Sequence, residues 1–188
     1  MTSELIWQHL DTPGWEHVRV IADHPEWTVF DSIFVRHDAD RILRGGYTLV
    51  MDKAWRTLEL RLMLETSPGV MDALHLLTEG DGRWTDAEGR PMPQLDGCLD
   101  VDIRWTPLTN SLPINRLGLD DGDSADITVA YISLPDLVAL PIQQTYSHTG
   151  AGDFRYTNRA SGFSADIVTD ADGYVISYPE RFQRTFPG

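Results

Sequence analysis

The segment WRTLELRLMLE, residues 55–65, decides the fold class. Leu58, Leu60, Leu62 and Leu64 recur at every second position, with Thr57, Glu59 and Arg61 between them. Successive side chains of a strand point to opposite faces, so this spacing puts the leucines on one side and the polar residues on the other. On a helix the same leucines would scatter round the circumference. The period of two returns in CLDVDIRW (98–105), where Leu99, Val101, Ile103 and Trp105 alternate with Asp100, Asp102 and Arg104. ADITVAYISL (125–134) and GFSADIVTD (162–170) repeat it, and TVFDSIFVR, GYTLVM, DALHLLTE, IQQTYSH, DFRYTN and YVISYP follow it less regularly.

Punctuation agrees with the period. EGDGRW, AEGRP, LDDGDS and DADGY set Asp-Gly or Glu-Gly pairs between apolar runs, a strong hairpin signal. Helix is expected only as single turns, within PDLVAL, NSLPINRL and PERFQR. Roughly ten or more short strands joined by tight turns predict an all-β protein. The expected architecture is an antiparallel, strongly curled sheet, a barrel or β-roll with one or two short helical turns. No linker-like tract divides the chain, so residues 1–188 read as a single domain.

Composition narrows the function classes. The 188 residues carry 29 acidic against 15 basic side chains, a net charge of −14, and Lys53 is the sole lysine. No basic face is available for nucleic acid. Cys98 stands alone, so no intramolecular disulfide forms, in keeping with a reducing compartment. The N-terminal segment lacks a basic and apolar leader, and no apolar run is long enough to span a bilayer. The expected location is the cytoplasm.

The chemistry-bearing residues allow several readings. Asp100 and Asp102 sit two apart on a strand, with Cα atoms about 6.5 Å apart on one face. Paired carboxylates serve glycoside hydrolysis, yet on a wet face such pairs are commonly just solvated. They could also line a polar cavity and bind sugar hydroxyls or an arginine such as Arg61. VTDADGY lacks the first and last acidic ligands of a calcium loop and reads as a hairpin turn. HDAD (37–40) has no second histidine at ligand spacing and reads as a solvated turn, so no metal and no cofactor is expected. Cys98 has no local histidine signature and reads as structural. Trp84, Trp105, Tyr131, Tyr146, Tyr156, Tyr174 and Tyr178 belong to or border strands. With Thr109, Asn110, Gln143 and Gln144 they suit a ligand that is part apolar and part hydroxylated, or they simply fill a core.

GCLDVDIRWTPLTNSLPINRL (97–117) resembles the signature of the bacterial putative glycolipid-binding family. WQHLDTPGWEHVRV, GGYTLVMDKAWRTLELRL, GDGRW, YISLPDLVALPIQQTY and FSADIVTDADGYVISYPERF extend the resemblance nearly end to end. The family pattern has a second arginine before Arg116, where this chain has Asn115, which weakens any anionic head-group role at that position. The resemblance implies a curled all-β fold comparable to lipoprotein-carrying barrels and a role in holding a glycolipid or other amphipathic small molecule. It places Asp100, Asp102, Thr109, Asn110 and Arg116 at one rim, facing a hydroxylated head group. Gln144, Tyr146 and Tyr178 are further ligand candidates on neighbouring strands. Trp84, Trp105 and the 58–64 leucines would pack the core or line an apolar chamber. Otherwise Thr109, Asn110 and Pro113 form a rigid capped turn. The alternatives are a hydrolase acting on a sugar or lipid through Asp100 and Asp102, and an interaction module with a filled core. An unpaired edge strand would offer a route to an oligomer.

Overall fold

The computed structural model describes residues 2–187. Its strands are β1 (Thr2–His9), β2 (Gly14–Ile21), β3 (Trp27–Asp38), β4 (Arg41–Asp52), β5 (Thr57–Ser67), β6 (Val70–Thr78), β7 (Trp84–Asp86) and β8 (Val101–Ile103). Helix α1 (Leu108–Leu117) follows, then β9 (Ser124–Ser133), β10 (Val138–Gly150), β11 (Asp153–Asn158), β12 (Ser164–Thr169), β13 (Val175–Tyr178) and β14 (Phe182–Phe186). The fold is all-β apart from α1 and a 3-10 turn at Pro93–Leu95.

All fourteen strands belong to one sheet, in the order β7-β6-β5-β4-β3-β2-β1-β14-β13-β12-β11-β10-β9-β8. The first and last strands pair in the middle, and each half meanders outward to its own edge. The chain must therefore cross from edge strand β7 to edge strand β8, and residues 87–100 make that crossing. Their hydrogen bonds show how near the edges come. Thr57 N–H donates to Leu99 O at 3.0 Å, Gly97 N–H to Gly82 O at 2.9 Å, and the Trp84 indole to Cys98 O at 2.9 Å. The edges are bridged, yet no ladder joins β7 to β8, so the sheet is not closed into the expected barrel. Nor is it wholly antiparallel: β8 runs parallel to β9. A parallel neighbour needs a long crossover, and α1 provides it.

The period of two places the core. Leu60, Leu62 and Leu64 are fully buried beside Leu49 and Leu76, while Arg61 and Met63 of the same strand are exposed. Trp7 and Trp84 are also fully buried, so these residues pack the interior and line no open chamber. The segment read as a turn is a ten-residue helix. Leu108 to Ile114 are all buried, so packing on every side offsets a Thr-Asn-Ser-Pro composition that favours turns. Gly118 ends the helix in the left-handed conformation, φ 53°. PDLVAL forms a turn leading into β10, and PERFQR leads into β14, in place of the expected helical turns.

One buried polar cluster ties the first half of the sheet to the crossover. Glu16 on β2 is fully buried, and one carboxylate oxygen accepts from Ser32 Oγ (2.9 Å), Tyr47 Oη (2.7 Å) and Thr106 Oγ1 (2.8 Å). Burial pushes the Glu16 carboxyl up to about 7 from 4.5, against the pull of these three hydroxyls. A raised carboxyl binds its proton more tightly in the folded chain. Its contribution is therefore complete below pH 4.5, falls as pH rises toward 7, and is constant above. Glu16→Gln removes that titration. We expect its stability relative to the parent to rise by on the order of 3 kcal/mol between acidic and neutral pH, measured by urea denaturation at several pH values. Parallel pH profiles for the two proteins would contradict this assignment.

A candidate head-group cavity at one end of the sheet

Strands β1, β3, β9, β11 and β13 end near one another, and a cavity of about 370 Å³ opens there. Its lining comes from Asp11 beyond β1, Arg36 near the end of β3, residues 102–106 in and just past β8, Asn110 of α1 and Tyr131 of β9. Tyr156, Asn158, Tyr178 and Arg181 complete the far wall, with Phe163 and Phe182 at its margin.

The backbone at Trp105 shapes this end. Up to Ile103 the alternation holds, but Trp105 adopts φ 77°, a left-handed conformation rare for a bulky residue. Such a conformation costs about 1–3 kcal/mol and persists only where the surroundings enforce it. The turn lets Ile103, Arg104, Trp105 and Thr106 all reach the cavity, which no strand of period two could do. The Arg36 and Arg104 guanidinium groups lie over the Trp105 ring, at 5.1 and 5.4 Å from its centroid. Cations so placed are attracted by the ring face.

Asp102 is the most unusual group in the cavity. Gln144 Nε2 donates to one of its oxygens at 2.6 Å and Thr109 Oγ1 to the other at 3.3 Å. No cation lies within ion-pair distance among the described residues. Burial raises its carboxyl above the usual range, and the Gln144 and Thr109 bonds oppose that rise. Behind it, Tyr146 Oη donates to Asn110 Oδ1 at 3.0 Å, so α1 and β10 are locked together beneath the floor. The Tyr156 and Tyr178 hydroxyls are pushed up by burial first and by the Asp102 charge second. They stay neutral and able to donate at physiological pH.

The expected site residues separate into three groups. Asp102, Asn110, Trp105 and Tyr178 line the cavity together. Thr109, Gln144 and Tyr146 stand behind it and fix Asp102 and Asn110. Asp100, Arg116 and Trp84 lie elsewhere. Asp100 is fully buried, and Arg116 grips it through Nε at 2.9 and 3.1 Å and Nη2 at 2.6 Å. That pair ties the start of β8 to the last turn of α1. Neither aspartate is the solvated surface residue that the alternation allowed.

Sequence pattern alone missed Asp11, Arg36, Arg104, Asn158 and Arg181. Asp11 accepts from both terminal nitrogens of Arg36 at 3.1 Å and pairs with Arg181 at 3.4 Å. Only the strand register brings residues 11, 36 and 181 together, and no local motif announces it. Cys98 is buried with its thiol pushed up to about 11 by burial, which makes it a poor nucleophile. No group of three or more potential metal ligands occurs among the described residues. No helix of the described residues is long and apolar enough to cross a membrane.

A second hollow, about 470 Å³ and largely apolar, lies on the outer face of β1–β6 among Trp15, Ile33, Val35 and Met71. Val35 faces it and Arg36 faces the polar cavity, so the two open on opposite sides of β3.

A family model described as "Putative glycolipid-binding" matches residues 4–184. The chain belongs to this family. A crystal structure of a DUF1089 family protein from Pseudomonas aeruginosa is 36% identical and superposes with a TM-score of 0.82 over 91% of each chain. No curated protein matches. Asn115, where the resemblance led to the expectation of an arginine, donates to Ser111 O at 2.9 Å and abuts Gly173. Gly173 has φ 76°, and a Cβ there would lie 2.3 Å from the Asn115 amide nitrogen. Asn115 is thus packed against the β12–β13 turn and lies outside the cavity lining.

Removing Arg116 leaves the buried Asp100 carboxylate without its cation. We expect Arg116→Ala to cost about 3 kcal/mol of stability in urea denaturation. The Asp100→Asn/Arg116→Gln double variant should recover most of it. A loss below about 1 kcal/mol would show that the pair is not a structural clamp.

Proposed function

We propose that this protein binds the hydroxylated head group of a glycolipid, or of a chemically similar amphipathic molecule, in the cavity around Asp102 and Trp105. The observation that carries the reading is the setting of Asp102. Its carboxyl is held by two neutral donors, has no cation partner among the described residues, and opens into a space walled by aromatic faces and hydroxyls. Sugars present ring faces to aromatics and hydroxyls to carboxylates, amides and guanidinium groups. A volume of about 370 Å³ falls in the usual range of small-molecule sites. The family description points the same way.

The packed interior leaves no room for an alkyl chain inside the sheet, so the tail leaves through the cavity mouth. The hydrolase alternative required Asp100 and Asp102 to face one substrate. Arg116 closes Asp100 away, and the cavity's other carboxylate, Asp11, is committed to Arg36 and Arg181. Binding without chemistry fits this arrangement better.

Isothermal titration with octyl glucoside, methyl glucoside and an octyl polyoxyethylene ether tests the proposal. Both glucosides should bind and the polyoxyethylene ether should not. Asp102→Asn should weaken glucoside binding by about tenfold or more, the scale of one charge-assisted hydrogen bond. Equal response to both octyl detergents, unchanged by Asp102→Asn, would refute head-group recognition.

A further inference from the structure

The charges around the cavity run against those of the chain. With 29 acidic and 15 basic residues, almost every arginine has a carboxylate within 4 Å. Among the described residues only Arg41 and Arg104 have none. Arg41 donates to Thr66 O on the surface and is not among the residues that line this cavity. Arg104 lines the cavity, and its one side-chain hydrogen bond among the described residues, from Nη1 to Leu134 O at 2.9 Å, leaves most of its guanidinium donors unused.

Arg104 is not alone there. Arg36, Arg104 and Arg181 all line this cavity, against Asp11 and Asp102. The outer hollow instead has its Arg44 paired to Glu65, and the neighbouring surface cleft sets Arg155 and Arg181 against Asp11, Asp166 and Glu180. Asp11 is already shared between Arg36 and Arg181. Arg36 is nine-tenths buried, and its Nε–H finds no acceptor among the described residues. Two guanidinium groups converge on one Trp105 ring, where each repels the other. The first turn of α1 adds to the positive field. Thr106 and Asn110, on either side of the helix start, both line the cavity, and a helix N-terminus favours negative charge.

We infer that the head group this cavity takes is anionic: a sugar bearing a carboxylate, phosphate or sulfate, whose charge is met by Arg104 together with Arg36. This rests on the proposal that the cavity is a head-group site, and narrows it. Trp105 and the tyrosines receive the ring, Asp102 and Asn110 the hydroxyls, and the guanidinium groups the charged substituent. Arginine suits this task because its planar fork matches an oxyanion in two-point contact.

Titration of octyl glucuronide against octyl glucoside, at low and at moderate salt, separates the two claims. The glucuronide should bind about tenfold more tightly or better, and the preference should shrink as salt rises. Arg104→Gln should bring the ratio of the two affinities close to one. Arg41→Gln, which removes the other arginine without a carboxylate partner, should leave that ratio as it is. Free glucuronate and inorganic phosphate distinguish the source of the charge. Glucuronate alone competing with the lipid assigns the site to an acidic sugar, whereas phosphate competing equally well assigns it to small oxyanions generally, and both support an anion site. Equal affinity for glucuronide and glucoside, or a preference that survives Arg104→Gln, overturns the inference while leaving head-group binding intact. Failure of every glycoside overturns head-group binding itself.

Discussion

A helix buried among strands, with Thr109, Asn110 and Ser111 in its first turns, must find a partner for each of those polar groups. An unsatisfied buried polar atom costs about 1–3 kcal/mol, so these bonds decide how the surrounding strands are placed. Thr109 Oγ1 accepts from Ile103 N–H at 3.2 Å and reaches Asp102, which fixes β8. Asn110 accepts from Tyr146, which fixes β10. Ser111 Oγ accepts from Val175 N–H at 3.2 Å, which fixes β13. The helix thereby acts as a spacer between strands that are not neighbours in the sheet, and the cavity is the space left at its N-terminal end. Polar requirements inside the fold and the shape of the site have the same origin.

The same economy appears at the other end of that spacer. Arg116 on the last turn of α1 holds Asp100 at the start of β8, and Asp102 is held two residues later without a cation. One strand therefore carries two inward carboxylates in different electrostatic states. The paired one is structural. The unpaired one is left to interact with whatever enters the cavity. On this view the Asp-x-Asp spacing does not serve a two-carboxylate reaction; each aspartate has its own task.

The strands were legible from the sequence because a half-buried strand writes its faces at every second residue, as Leu60, Leu62 and Leu64 do. Closure was not legible. Whether the edges pair depends on the 87–100 crossover, whose bonds run to backbone atoms of Gly82 and Thr57 and leave no trace in side-chain pattern. The helix was hidden for a physical reason too: its residues are poor helix formers, and burial on all sides overrode propensity. Half of the candidate site could be read, since Asp102, Trp105, Asn110 and Tyr178 carry the residue types that bind sugars. The arginine half could not. Arg36, Arg104 and Arg181 arrive from three strand ends, and the left-handed turn at Trp105 that aims Arg104 breaks the alternation on which such a reading depends.

The central claim is that ligand enters the cavity at Trp105 and not the apolar hollow at Trp15. Tryptophan indole N–H signals report this directly in a two-dimensional NMR titration with an octyl glycoside. The Trp105 indole and the Asn110 side-chain amide should shift progressively, while the Trp84 indole, locked on Cys98 O in the core, stays in place. Shifts concentrated at Trp15 with Trp105 unmoved would contradict the account.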